Sequence, residues 1–403
     1  MTIQKPVKTI LCTWELGGEL GHISNLSAVA KALEVDGYRV VVALRDLSRA
    51  YPFFCDTKVT LLQAPVWLPV MKMQRPIACL ADTLLLSGYL ETDPLHCLVK
   101  VWQSLVDQVQ PDLVIFDYSP TAMLAMLYQS FPKILVGSGF ADPVPGHPIA
   151  DWRPYATQDK LIERQEQQVL KQINTVLERQ QKPQLSRMAD LFRATKVIVR
   201  TFPELDLYEN IRQDADYAVG QTTTRVDNPV RFSNSGRRKI LAYIKPGYPQ
   251  IDRLIGALAR VDAEVFVACP GGQATLFQTQ ASETFQFSVE LVDLRGAMAE
   301  ADLFLGHGNS SSVKESLLAQ TPVVVLPIQL EQLLTGKRLQ ALGFGALIEE
   351  IRSEEELLSR LNSFLSNSND YRTAIGQLLT KYPEPRLPLS TLVKAACAEL
   401  LAL

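Results

Sequence analysis

Along the chain, short apolar runs alternate with stretches whose apolar positions recur every three or four residues. VKTILCT (7–13) reads as a buried strand. A helix follows over about 23–36, with Leu26, Val29, Ala30, Leu33 and Val35 on one face and Gly37 as its stop. YRVVVAL (38–44) is the next strand. LVIFD (113–117) follows Pro111-Asp112, a helix runs through TAMLAMLYQSF, and KILVG (133–137) comes after it. Strand, helix, strand at this spacing predicts a parallel α/β sheet.

A long Gln-rich helical segment, 155–195, breaks the rhythm, and TKVIVRTFPELD (195–206) supplies that half's last strand and its exit. Gly, Asn, Pro and Ser then gather around TTTRVDNPVRFSNSG, which marks 207–236 as a linker. The alternation restarts with RKILAYI (238–244), a helix over about 249–260, AEVFVAC (263–269), FSVELVD (287–293), DLFLG (302–306) and PVVVLP (322–327). Further helices are expected at about 311–320, 331–342, 353–365 and 388–402. The expected domains are 1–206 and 237–385, both doubly wound and Rossmann-like, with a C-terminal helix in 386–403 that packs back toward the first. Two such halves imply a cleft, and ligands of doubly wound sheets sit outside the carboxyl ends of the strands.

Composition narrows the class. The 403 residues are 47% hydrophobic and 21% charged, ordinary for a globular chain of two domains. Net charge is −3, with acids and bases interspersed, so no nucleic-acid partner is indicated. The six cysteines (12, 55, 79, 97, 269, 397) include no C-x-x-C pair, which suggests neither a zinc site nor a disulfide framework and fits a reducing cytosol. No signal-peptide core and no run of about 18 apolar residues is found, so a cytoplasmic protein without a transmembrane segment is expected.

One turn concentrates the chemistry. DLFLGHGNSSSVKESLLAQTP (302–322) carries a strand into His307-Gly308-Asn309, three serines and a helix. Ser312 and Glu315 have the spacing of a capping box, so the serines fit helix capping. The same geometry offers unpaired amides and the positive end of a helix dipole to a phosphate, with His307 as a further donor. Downstream, Glu331-Gln332 lies just past the next strand. A carboxylate beside an amide suits adjacent sugar hydroxyls, although these two residues also fit an ordinary helix start.

The segment from His307 to Gln332 resembles the donor-binding signature of the UDP-glycosyltransferase superfamily of GT-B enzymes. That signature runs His-Gly-Gly-x-Gly-Thr, a Glu three residues on, Gly-x-Pro, then Pro and an Asp-Gln pair. His307, Gly308, Glu315, Pro322, Pro327 and Gln332 fall in register. Asn309 and Ser311 stand in place of glycines, Ser312 of Thr, Gln320 of Gly and Glu331 of Asp. Asn309 tolerates a left-handed backbone, which would keep the turn. Upstream, WELGGELGHISNLSAVAKALEVDGYRVVVA (14–43) is similar to the family's opening, with Asn25 where Pro is usual. LVGSGFADPVP (135–145) and TFPELDLY (201–208) also resemble bacterial members. IKPGYP (244–249) departs from the usual Gly-Ser, and Lys245 is a candidate to supply charge there instead.

The resemblance implies a GT-B fold, with acceptor binding in 1–206 and nucleotide-sugar binding in 237–385. It implies an inverting transfer to an acceptor hydroxyl from a UDP- or dTDP-sugar, a co-substrate rather than a cofactor, with no metal. His22 would be the base and Asp117, or Asp112, its orienter. His307, Gly308, Asn309, Ser310, Ser311, Ser312, Glu315, Glu331, Gln332 and Lys245 would bind the donor. The apolar loop APVWLPVMKMQRP (64–76), with Trp67 in it and Phe140 and Trp152 beyond, suits a flat apolar acceptor. Lys72 and Arg75 make a lipid acceptor, met by peripheral contact with a membrane, the second option. Asp214-Ala215-Asp216 is formally a metal-binding Asp-x-Asp, but its place in the linker reads as a solvated turn. Two rival readings share the architecture: a nucleotide-sugar epimerase, and a catalytically degenerate nucleotide-sugar-binding partner.

Overall fold

The structure is a computed structural model and describes residues 7–18, 20–153, 159–222, 228–233 and 236–402. The chain divides into two compact units, Met1–Thr224 with Leu387–Leu403, and Arg225–Arg386.

The first unit is built on a parallel sheet of strands β1 (Thr9–Trp14), β2 (Arg39–Leu44), β3 (Thr60–Gln63), β4 (Leu113–Asp117), β5 (Lys133–Gly137), β6 (Lys196–Val199) and β7 (Asp216–Tyr217). Their order is β3-β2-β1-β4-β5-β6-β7. Every residue of β1 and β4 is buried, as strands covered by helices on both faces require. The helix Leu20–Val35 lays Ile23, Leu26, Val29, Ala30 and Leu33 into this core. The last helix, Leu389–Ala402, contributes Leu389, Val393, Ala396 and Cys397 to the same cluster.

The second unit holds strands β8 (Arg238–Tyr243), β9 (Ala263–Ala268), β10 (Phe285–Ser288), β11 (Leu303–Gly306), β12 (Val323–Val325) and β13 (Gly345–Leu347), all parallel, in the order β10-β9-β8-β11-β12-β13. Strand order reverses between β1 and β4 in one sheet and between β8 and β11 in the other. These are the switch points at which doubly wound sheets take ligands.

Three expectations are corrected. The strand read over 287–293 lies at Phe285–Ser288; residues after it include the exposed Glu290 and Leu291, so its apolar character did not mark a core strand. Residues 207–222, read as linker, belong to the first unit. Buried Arg212 there bonds Asp206 (2.6 Å) and Asp142 (3.1 Å), and β7 extends the sheet. Residues 223–227 and 234–235 of the linker reading lie outside the described residues. Asp216, half of the Asp-x-Asp, is in β7 and pairs with Lys196 at 2.9 Å rather than lying in a solvated turn. No group of three or more potential metal ligands occurs among the described residues.

The Asp142–Arg212–Asp206 cluster accounts for two segments that stood out in the sequence. Asp142 of GSGFADP accepts from the amides of Ser138 (3.2 Å) and Gly139 (3.1 Å). Asp206 of TFPELDLY accepts from the Tyr208 amide and the Tyr217 hydroxyl, each at 2.8 Å. Two buried carboxylates share one guanidinium, and its bond to Asp142 ties the loop after β6 to the loop after β5.

Candidate active site

At the first switch point β1 and β4 run side by side with Trp14 opposite Asp117. The chain leaves β1 through Glu15, Leu16 and Gly17 and enters the helix Leu20–Val35, which carries His22 in its first turn. His22 Nδ1 lies 2.9 Å from Asp117 Oδ1. The side chains are 13% and 2% exposed, so the pair is shielded but reachable at the imidazole. An ionised carboxylate can only accept, so Nδ1 donates and Nε2 is left with the lone pair. Trp14 stacks on the imidazole at 5.4 Å between centroids and 15° between planes, and Tyr118 flanks it at 6.2 Å. Asp112, the other candidate orienter, lies at the opposite edge, where it accepts from the Thr9 amide at 2.8 Å. That position excludes it as a partner of His22.

The turn demands glycine at 17. Its φ is +84°, and a Cβ there would come within 2.8 Å of His22 Nε2. Gly17 therefore gives the backbone its left-handed bend and keeps the imidazole's basic edge clear. It was missed among the site residues, although the Gly-Gly pair between strand and helix was a signal for it. Tyr118, directly after Asp117, also has a positive φ, +48°, a costly conformation for an aromatic residue.

At the second switch point His307 leaves β11 and is 2% exposed. Its Nδ1 gives a hydrogen bond to Leu326 O (2.7 Å), and its Nε2 accepts from the Lys245 amide (2.9 Å). Both ring nitrogens are engaged by main chain, which fixes a neutral tautomer and joins the loops after β8, β11 and β12. The expectation that His307 donates to a phosphate is corrected accordingly: it has no second ring N–H to give.

Gly308 follows with φ +89°, and a Cβ would meet Val325 at 2.9 Å and Gln332 O at 3.2 Å. The left-handed position is thus Gly308, not Asn309. Asn309 is extended (φ −64°, ψ 133°) and caps the helix Ser310–Leu318. The expected capping box is absent. The helix begins before Ser312, whose hydroxyl donates back to Asn309 O at 3.0 Å. Asn309 instead uses its side-chain oxygen to accept from Gln332 Nε2 at 2.8 Å.

Gln332 is 2% exposed, and its Oε1 accepts from the amides of Ile328 (2.8 Å) and Gln329 (3.2 Å). Its carbonyl oxygen serves the protein and closes the start of the helix Leu330–Leu342, against the expectation of a direct sugar contact. Glu331, half-buried in the same first turn, stands where a carboxylate is favoured by the helix dipole. Glu315 lies one turn into the preceding helix, near enough to Arg295 to raise that guanidinium's pKa further, after the larger effect of Asp293. Ser310, Ser311 and Ser312 form the first turn of this helix, at the positive end of its dipole.

The remaining expected residues separate. Phe140 and Trp152 stack at 4.1 Å, but Trp152 is buried and its amide donates to Ala78 O, so it reads as core. Trp67 is half-buried and packs against Gly88. Leu68 and Val70, next to it, are strongly exposed.

Two doubly wound parallel sheets give the chain the GT-B fold. Solved structures agree over nearly the full length. The glycotransferase of kitacinnamycin superposes with a TM-score of 0.69 at 14% identity, covering 98% of this chain and 99% of that one. The glycosyltransferase VinC in complex with dTDP gives 0.64 at 15% identity, covering 98% of each. In sequence, the chain is 27% identical over 230 residues to a zeaxanthin glucosyltransferase from Pseudescherichia vulneris, 54% of either protein, so the match spans about half of that relative. No protein-family model matches the chain. Among the described residues, no helix is long and apolar enough to cross a membrane.

Proposed function

We propose that the protein is a glycosyltransferase that moves a sugar from a UDP- or dTDP-sugar to an acceptor hydroxyl, with inversion and without a metal. The observation that carries this reading is the His22–Asp117 pair at the first switch point, with Nδ1 held at 2.9 Å and Nε2 beside a required glycine. His22 takes the acceptor proton as the hydroxyl attacks the anomeric carbon. Asp117 keeps the correct tautomer and stabilises the imidazolium that forms. A degenerate binding partner would have no use for this arrangement.

The second unit holds the donor. The amides of Ser310 to Ser312 and the dipole of their helix receive the departing diphosphate, a charge that grows as the glycosidic bond breaks. His307, Gly308, Asn309 and Gln332 act by shaping this turn rather than by touching the ligand. Glu315 and Glu331 are the carboxylates for ribose and sugar hydroxyls, and Lys245 adds positive charge. The dTDP complex of VinC supports a nucleotide sugar, and the likeness to a zeaxanthin glucosyltransferase supports an apolar acceptor. A membrane-borne acceptor met through the exposed Leu68–Val70 loop is the version these side chains favour.

The test is a panel of nucleotide diphosphates and their sugars in a thermal-shift assay, followed by transfer to apolar alcohols with the anomeric configuration read by NMR. Stabilisation by a UDP or dTDP compound and an inverted product are expected. No stabilisation by any of them, or a retained configuration, contradicts the reading.

A further inference from the structure

We propose that Glu15 is a positioning residue for the His22–Asp117 pair: its buried carboxylate clamps the turn that carries Asp117 onto the end of β1. Glu15 follows β1 directly and is 2% exposed. Its Oε2 accepts from the amides of Thr121 (2.9 Å) and Ala122 (3.3 Å), and its Oε1 accepts from the Thr121 hydroxyl. The same threonine meets the buried Tyr89 hydroxyl at 3.1 Å. One residue on, the Leu16 amide donates to Tyr118 O at 3.0 Å. Residues 15 and 16 therefore bond to 118, 121 and 122, bracketing Asp117 from its C-terminal side, while Trp14 faces it in the sheet and stacks on His22.

The strained backbone of Tyr118 gives this clamp its purpose. A positive φ on a non-glycine residue persists only where its surroundings over-determine it. Here the bond from Leu16 holds that residue's own carbonyl, and those from Glu15 hold the chain just after it. A carboxyl group suits the task because its two oxygens meet all three donors, the Thr121 amide, the Ala122 amide and the Thr121 hydroxyl. The Glu15 carboxyl bonds Thr121 and Ala122, so it acts on the pair through the turn.

The inference rests on His22 as the base, but its test does not require turnover. The imidazole resonances of the four histidines are followed by NMR across pH in the wild type, with His22 assigned by its loss in His22→Ala. Glu15→Ala is expected to move the His22 titration midpoint by roughly half a pH unit or more. Glu15→Gln, which keeps an acceptor for both amides, is expected to restore most of it. Donor binding, read as the thermal shift with UDP and dTDP, stays unchanged in both. If Glu15→Ala does not fold, Thr121→Val, which removes the hydroxyl end of the clamp, must shift the same midpoint. An unaltered His22 midpoint in the folded variants overturns the proposal. A wild type that transfers no sugar would sink the functional reading and leave the titration result standing.

Discussion

Single residues in this protein are held by main-chain partners at both switch points, and the buried carboxylate of Glu15 shows what that costs. Burial is the largest influence on it and lifts its pKa to about 7, against the lowering effects of its Thr121 and Ala122 hydrogen bonds and of Arg45. The folded state therefore keeps a proton that the unfolded chain releases between about pH 4.5 and 7. Stability from this group is present below that window and is lost as pH rises through it, by about 3 kcal/mol. Urea denaturation of Glu15→Gln against the wild type should show a stability difference that grows from pH 4.5 to pH 8. A difference that stays flat across that range contradicts the assignment. Gln320, like Tyr118, is a non-glycine residue with positive φ, +57°, at a position where the resembled family has glycine.

At the scale of elements, the turn at His307 is a knot of three loops rather than a row of ligand contacts. Lys245, His307 and Leu326 are bonded in series, and Gln332 ties Asn309 to the start of its own helix. Replacing Gln332 with Leu hands the amides of Ile328 and Gln329 and the Asn309 oxygen to water, so the loss is the net worth of three part-buried hydrogen bonds, roughly 0.5–1.5 kcal/mol each. Thermal denaturation should show that loss, and the thermal shift produced by UDP or dTDP should fall with it. Full donor response in a folded Gln332→Leu protein would place the amide outside the machinery of the turn.

Much of this level was legible in the chain. LVIFD and KILVG coincide with β4 and β5, because continuous apolar runs leave little freedom when both sheet faces are covered. The 3-residue β13 leaves no mark in the pattern, since Gly345-Ala346-Leu347 is too short to show a period. Residue types at the two turns were also legible, but partner choice was not. Whether Asn309 bends the backbone or receives Gln332, and whether His307 faces a ligand or two carbonyl-edge loops, depends on neighbours 19 to 62 residues away.

For the whole molecule, two sheets with the same winding each bring their first and fourth strands together, and the candidate chemistry lies at those two places. The 3-2-1-4 order puts the carboxyl ends of β1 and β4, and of β8 and β11, side by side. That is why His22 and Asp117, 95 residues apart, form one pair. The most direct measurement of the central claim is the rate of sugar transfer by His22→Ala at saturating donor, compared with the wild type. The account predicts a fall of about 10²- to 10⁴-fold, with the donor-induced thermal shift preserved. Transfer at the wild-type rate would contradict it.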